Sequence, residues 1–262
     1  MAKPLPPKLT LWQTLFYGAR SAVFYAGYAL WTLLLGLLLA ITGCLIGYRA
    51  CVAIVNLWNS GVIAWLRVTC GVRYRVIGRE NVPPAPFVVA AKHQSQWETF
   101  YLQTPFAPIA TILKIELLKI PVFGWGLKTV KPIAIDRSQR KESLRYIVEE
   151  GARRLQDGIS VLIFPEGTRT DPGATGRYAR GGADLAIKGQ VPMLPIAHNA
   201  GECWPAKRFI KVPGLVTVSI GKPINWDQAG DSKALMGMVE QWIEAELPTI
   251  SQYHYPSDQQ KG

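Results

Sequence analysis

The feature that most constrains this chain is a run of 28 residues, Ser21–Tyr48, that carries no formal charge and lies between Arg20 and Arg49. About 20 apolar residues suffice to span a bilayer core, so this run is long enough to cross one. Its densest part is Leu33–Ile41. The run also exceeds the roughly 7–15 residues of a signal-peptide core. Ile41-Thr42-Gly43-Cys44 is a faint lipoprotein-type cleavage pattern, but it comes far too late in the chain, and export is rejected. A second apolar stretch, Ala50–Leu66, is interrupted by Asn56, Asn59 and Ser60. Its Trp58 and Trp65 are of the ring type favoured at membrane–water interfaces. Two arrangements stay open: a spanning helix followed by an interfacial helix, or a helical hairpin that dips into one leaflet. Basic residues flank both ends (Lys3, Lys8 and Arg20, then Arg67, Arg73 and Arg75). They favour keeping both ends on the cytosolic side.

Charge points to the same partner. Residues 1–67 hold five basic side chains and no acidic one, and the remaining 195 hold 24 basic against 18 acidic. The net charge of +11 therefore divides as +5 and +6. An anionic bilayer surface satisfies both halves, because a basic residue beside an inserted segment gains about 1 kcal/mol near anionic lipid. No nucleic-acid-binding motif or basic–aromatic run is present, so no nucleic-acid partner is expected. Cys44, Cys51, Cys70 and Cys203 form neither a CxxC pair nor a metal-ligand spacing. Reduced structural thiols in a cytosol-facing protein are expected.

Beyond Arg67 short β-rich runs alternate with helical stretches. Strands are predicted at Tyr74–Ile77, Phe87–Ala91, Ile109–Leu113, Pro132–Ile135, Ser160–Phe164, Met193–Ala197 and Val216–Ile220. Several are nearly continuous apolar runs, as in strands covered on both faces. Helices are predicted at about Trp97–Gln103, Gln139–Gln156, Ala179–Lys188 and Ser232–Leu247. The alternation implies an α/β fold with a mixed, largely parallel sheet flanked by helices. The expected organisation is a membrane anchor over 1–67, a globular domain over 68–250 and a polar tail over 251–262. Active sites in such sheets gather outside the carboxyl ends of the strands.

Two constellations follow strand ends. After Phe87–Ala91 comes Lys92-His93-Gln94-Ser95-Gln96-Trp97-Glu98. Residues five apart do not share a helix face. A His93–Glu98 contact therefore needs His93 at the strand end and Glu98 in the first helical turn. A carboxylate on one imidazole nitrogen would leave the other free to take a proton from a hydroxyl near neutrality. Packed and solvated roles for the two residues stay open on spacing alone. The second constellation is Phe164-Pro165-Glu166-Gly167-Thr168-Arg169-Thr170. Here Pro165 and Gly167 make a sharp turn, and Thr168 and Arg169 offer a hydroxyl and a planar cation suited to phosphate oxygens. Glu166 either meets substrate or holds Arg169 or a neighbouring loop.

The pairing of HQSQWE with FPEGTRT resembles the glycerolipid acyltransferase family, closest to its bacterial members that acylate 1-acyl-glycerol-3-phosphate. Two further blocks fall in the expected order. Lys114-Ile115-Glu116-Leu117-Leu118 through Pro121-Val122-Phe123-Gly124, extended by Lys131–Arg137, looks like the second block. Val191-Pro192-Met193-Leu194-Pro195-Ile196 looks like the fourth. Together the four cover roughly 75–225. The resemblance implies that His93 is the general base and Glu98 its orienting acid. The family usually has Asp there, and Glu98 is one methylene longer. It implies further that Arg137, Glu166, Gly167, Thr168 and Arg169, with Lys114 in addition, form the acceptor's phosphate site. The fourth block, around Pro192 and Pro195, would lie on the donor side.

The implied reaction passes an acyl group from acyl-carrier protein or coenzyme A to lysophosphatidic acid, giving phosphatidic acid in phospholipid biosynthesis. Another lyso-lipid, such as lyso-ornithine lipid, is the enzyme alternative, and a non-catalytic lipid-binding protein is the alternative outside enzymes. The implied setting is a bacterial inner membrane with the catalytic domain facing the cytosol. No cofactor and no metal are expected. Backbone N–H groups near Gly167 are candidate donors to a tetrahedral oxyanion. Ser95 lies outside any GxSxG elbow, so no acyl-enzyme is expected. A structural role is the leading reading of His198, and a solvated loop that of Arg177 and Arg180.

Overall fold

The computed structural model describes residues 3–136 and 138–255. Arg137 and the tail residues 256–262 lie outside the described residues. Two long helices come first, α1 (Leu11–Thr42) and α2 (Tyr48–Cys70). Thr10 caps α1 with a reciprocal capping box to Gln13, which satisfies free N–H groups of its first turn. At about 1.5 Å per residue the two helices are about 48 and 35 Å long. By length and composition both could cross a membrane.

The helices form an antiparallel hairpin. Trp65 Nε1 donates to the Phe24 carbonyl (3.2 Å), Trp58 Nε1 to Thr32 Oγ1 (3.1 Å), and Trp31 Nε1 to the Trp58 carbonyl (3.3 Å). Glycine makes this approach possible: a Cβ at Gly27 would fall 2.2 Å from the Trp65 ring, and one at Gly61 2.4 Å from that of Trp31. Trp58 and Trp65 thus lock the two helices together, a correction to the interfacial role predicted for them. Their N–H groups find partners inside the hairpin, as buried indoles generally do.

The remaining chain builds a seven-stranded sheet from β1 (Val72–Ile77), β2 (Val88–Ala91), β3 (Ile109–Lys114), β4 (Ile133–Ile135), β5 (Ser160–Ile163), β6 (Met193–His198) and β7 (Gly214–Ile220), in the order β1-β7-β6-β2-β5-β3-β4. All pairings are parallel except β6–β7, so β1 and β7 run opposite to the other five. Every residue of β2, β5 and β6 is buried, which explains why these strands read as unbroken apolar runs. The other helices are α3 (Trp97–Tyr101), α4 (Phe123–Lys128), α5 (Arg140–Gln156), α6 (Gly181–Gly189), α7 (Ala200–Cys203) and α8 (Ser232–Ile250).

The hairpin and the sheet share one core, in which Phe24, Trp58 and Leu66 join Trp97, Phe100 and Trp204. Lys211 fastens the junction: its backbone N–H donates to Ser21 Oγ (2.8 Å) and its ammonium to Tyr25 Oη (2.6 Å). The same ammonium lies 5.1 Å from the Trp204 ring. The second block also docks on the hairpin, with a Cβ at Gly36 falling 2.6 Å from the Val122 side chain.

Candidate active site

β2, β5 and β6 all end on one edge of the sheet, and the loops that leave them meet there. His93 follows β2 directly, and Glu98 sits in the first turn of α3, the placement a five-residue spacing requires. His93 Nδ1 lies 2.9 Å from Glu98 Oε1. The same oxygen accepts the backbone N–H groups of Gln94 (2.9 Å) and Ser95 (2.7 Å). An acceptor so placed fixes the proton on Nδ1 and leaves Nε2 with its lone pair free. Phe164 stacks on the imidazole at 4.1 Å and holds its plane. Burial would push the Glu98 carboxyl up, but His198, the His93 hydrogen bond and the Ser95 N–H outweigh it and hold the carboxyl below its ordinary value. Glu98 therefore backs the imidazole as a carboxylate.

The loop after β5 is tied to the loop after β2 at several points. Arg169 Nε donates to the Ser95 carbonyl (2.8 Å) and Thr170 N–H to the His93 carbonyl (2.8 Å). Gly167 is exposed at φ 69, a conformation glycine adopts without steric cost. Thr168 is exposed beside it and Arg169 half-buried. Gly167 N–H donates to the Phe164 carbonyl (3.0 Å). That N–H is therefore engaged within the turn.

Glu166 is engaged with neighbouring segments, one of the two roles open to it in the sequence. Its side chain has no exposure and meets Lys92 Nζ at 2.5 Å. Its carboxylate also accepts the N–H groups of His93 (3.1 Å) and Gly176 (3.1 Å). A carboxylate so engaged braces the backbone at His93 and at Gly176. Lys92 is fully buried as well and reaches Glu244 of α8 at 2.9 Å and the Ala174 carbonyl at 3.0 Å. Tyr178 Oη and Thr175 Oγ1 donate to Glu244, both at 2.8 Å. Buried charges persist only when paired and hydrogen-bonded in this way.

Lys92 and Glu244 were absent from the predicted site. The available signal was Glu240 and Glu244, like charges four apart on α8, whose destabilising proximity calls for a cation. Lys114 is exposed at the end of β3, opposite Ile135 of β4. It stands at the same sheet edge as the base, one strand beyond β5. Arg137 lies outside the described residues. The fourth block runs into strand β6, which is buried throughout, whereas Pro192 just before the strand is half-buried. An apolar cleft lined by Leu35, Leu39, Val55, Trp58, Phe123 and Leu127 separates α1, α2 and α4.

Residues 73–199, from β1 to the end of β6, match the family model described as acyltransferase. The chain is 44% identical over 200 residues to a 1-acyl-sn-glycerol-3-phosphate acyltransferase of Pseudomonas aeruginosa, covering 76% of this chain and 78% of that one. The chain belongs to the 1-acyl-sn-glycerol-3-phosphate acyltransferase family. It is an enzyme of acyl transfer in lipid biosynthesis. A human relative, 1-acyl-sn-glycerol-3-phosphate acyltransferase alpha, is 29% identical over 208 residues, covering 75% of this chain and 71% of that one. The crystal structure of the 1-acyl-sn-glycerophosphate (LPA) acyltransferase from Thermotoga maritima shares the fold, with a TM-score of 0.76 at 23% identity. That superposition covers 91% of this chain and 97% of the other. At that coverage it extends beyond the family-model region, which begins after α2, and into the hairpin.

Proposed function

We propose that this acyltransferase moves a fatty acyl group from an acyl thioester to the sn-2 hydroxyl of 1-acyl-sn-glycerol-3-phosphate, giving phosphatidic acid. The thioester is that of acyl-carrier protein or coenzyme A. The observation that carries the reading is the buried His93–Glu98 pair with Nε2 free, beside the exposed Thr168 and the half-buried Arg169.

His93 Nε2 takes the proton of the acceptor hydroxyl as its oxygen attacks the thioester carbonyl carbon. Glu98 stabilises the imidazolium that forms. The tetrahedral intermediate then collapses, the C–S bond breaks, and the departing sulfur receives the proton from Nε2. An ester and a thiol result, and His93 returns to its neutral form. Arg169, with Thr168 and Lys114, binds the acceptor's phosphate; a guanidinium presents planar donors matched to such oxygens. Arg137 is assigned there by the family pattern. Holding both substrates beside the base replaces a bimolecular encounter with an oriented one.

The hairpin is read as the membrane anchor, set in a bacterial inner membrane with the catalytic edge on the cytosolic side. Exposed Leu33, Leu34, Leu37 and Leu38 support this.

The test is a panel with purified protein in mixed micelles, both donors, and lysophosphatidic acid beside lyso-ornithine lipid. The reading requires transfer to lysophosphatidic acid, with the new ester at sn-2. Transfer only to the amino-acid lipid, or thioester hydrolysis without transfer, would overturn it.

A further inference from the structure

Glu98 is asymmetrically served. Oε1 takes three N–H groups, whereas Oε2 is buried without a hydrogen-bond partner. A carboxylate oxygen left so is costly in a low-dielectric interior. The group that faces it is His198 at the end of β6, whose Nε2 lies 4.0 Å away. That distance is too long for a hydrogen bond, yet short for an electrostatic contact between two fully buried groups.

The imidazole of His198 has a defined tautomer. Ala200 N–H donates to its Nδ1 (3.3 Å), so the ring proton sits on Nε2 and is donated to the Lys92 carbonyl (2.7 Å). Burial keeps the ring's pKa below its ordinary value, and the ring is neutral. The same nitrogen therefore serves the backbone of the residue before the base and lies 4.0 Å from the free oxygen of the Glu98 carboxylate. The titratable groups around His198 are Glu98 from α3, His93 from the loop after β2 and Glu166 from the loop after β5. Among the described residues, Glu98 is the carboxylate that comes within 4.0 Å of it.

We infer that His198 is a positioning residue for the acyl transfer: its Nε2–H anchors the Lys92 carbonyl and steadies the outer oxygen of Glu98, so that Glu98 presents a stable carboxylate to His93. The inference rests on the reading of His93 and Glu98 as base and orienting acid. It extends the pair to a row of three, His93–Glu98–His198, of which only His93 touches substrate. Without the His198 dipole, the Glu98 charge leans more heavily on the His93 proton. The Glu98 carboxylate then protonates more readily, which moves the acid limb of the rate profile to higher pH.

The experiment compares His198→Leu, His198→Gln and His93→Ala for kcat, KM and the pH profile of kcat/KM. The glutamine amide keeps an N–H donor near the position of Nε2; leucine removes it. The expected result is a kcat about tenfold lower in the leucine variant, an unchanged KM for lysophosphatidic acid, and an acid limb displaced to higher pH. Glutamine restores most of both. A leucine variant whose pH profile superimposes on that of the unaltered enzyme overturns the inference, as does a glutamine variant equally impaired in rate and limb. Should leucine prevent folding, His198→Asn replaces it, its amide being too short to reach the Nε2 position. Turnover retained in His93→Ala would overturn the underlying base assignment. Turnover lost there, with a normal profile in the leucine variant, removes only the role of His198.

Discussion

In the loop after β2, Lys92, His93, Gln94, Ser95 and Glu98 are all buried, whereas on α1 Leu30, Leu33, Leu34, Leu37, Leu38 and Ile41 stand exposed. The two regions break the usual distribution of polar and apolar side chains in opposite directions. In the loop, partners justify the burial: Lys92 has Glu166 and Glu244, and Glu98 has three N–H groups. On α1 the leucines stand open, and the solvent that suits them is hydrocarbon. The hairpin and the sheet share a core, so the exposed apolar face of α1 is joined rigidly to the His93–Glu98 pair.

Altering one region should leave the other intact, and the largest expected effect lies in the loop. Glu98→Gln keeps the size of the side chain and removes its charge. It should lower kcat on the order of 10³-fold, within the general-base range, while flotation with vesicles is unchanged. Loss of flotation in that variant would mean the two regions are not separable. Leu34→Lys addresses the other side. A lysine at the centre of a spanning helix costs about 2.5–3.5 kcal/mol, so vesicle binding should fall on the order of 10²-fold while soluble short-chain substrates are still turned over. Binding unchanged by the lysine would place that face outside the bilayer.

Arg169→Ala tests the rim of the site. KM for lysophosphatidic acid should rise about tenfold or more as a charge-assisted contact is lost. KM for a neutral lyso-lipid should not change. An equal rise for both acceptors would assign Arg169 to holding the Ser95 carbonyl alone.

The smallest effect is on stability against pH. His198 is held below its ordinary value of 6.5. The unfolded chain therefore binds a proton there that the folded chain does not, and stability falls as pH drops below 6.5. Glu98 is held below its ordinary 4.5. Its contribution is present above 4.5 and is lost only as pH falls through its lower folded value. His198→Gln should thus flatten the decline of the unfolding midpoint between pH 6.5 and 4.5, and steepness retained in that window would locate the proton uptake elsewhere.

Much of this was legible in the sequence, for a physical reason in each case. Strands buried on both faces appear as unbroken apolar runs, and all seven predicted strands and four predicted helices of the globular part have counterparts close in extent. The His93–Glu98 contact followed from a spacing that works only across a strand-to-helix junction. What was not legible depends on distant pairing. Lys92 meets residues 74 and 152 positions away, and nothing local distinguishes a lysine that will be buried from one that will be solvated. The same holds for Glu166, whose neighbours Thr168 and Arg169 reach the surface, and for Trp58 and Trp65, whose rings suit a membrane interface as well as a glycine-lined helix contact. His198 reads as structural, and the packing of β6 beside β2 is what brings it behind Glu98.

The most direct measurement is turnover of His93→Ala in membranes supplied with acyl thioester and lysophosphatidic acid, with membrane association followed in parallel. Removal of the base predicts that phosphatidic acid formation collapses by about 10³-fold or more while the protein stays in the membrane. Phosphatidic acid formed by that variant at the rate of the unaltered enzyme would contradict the account.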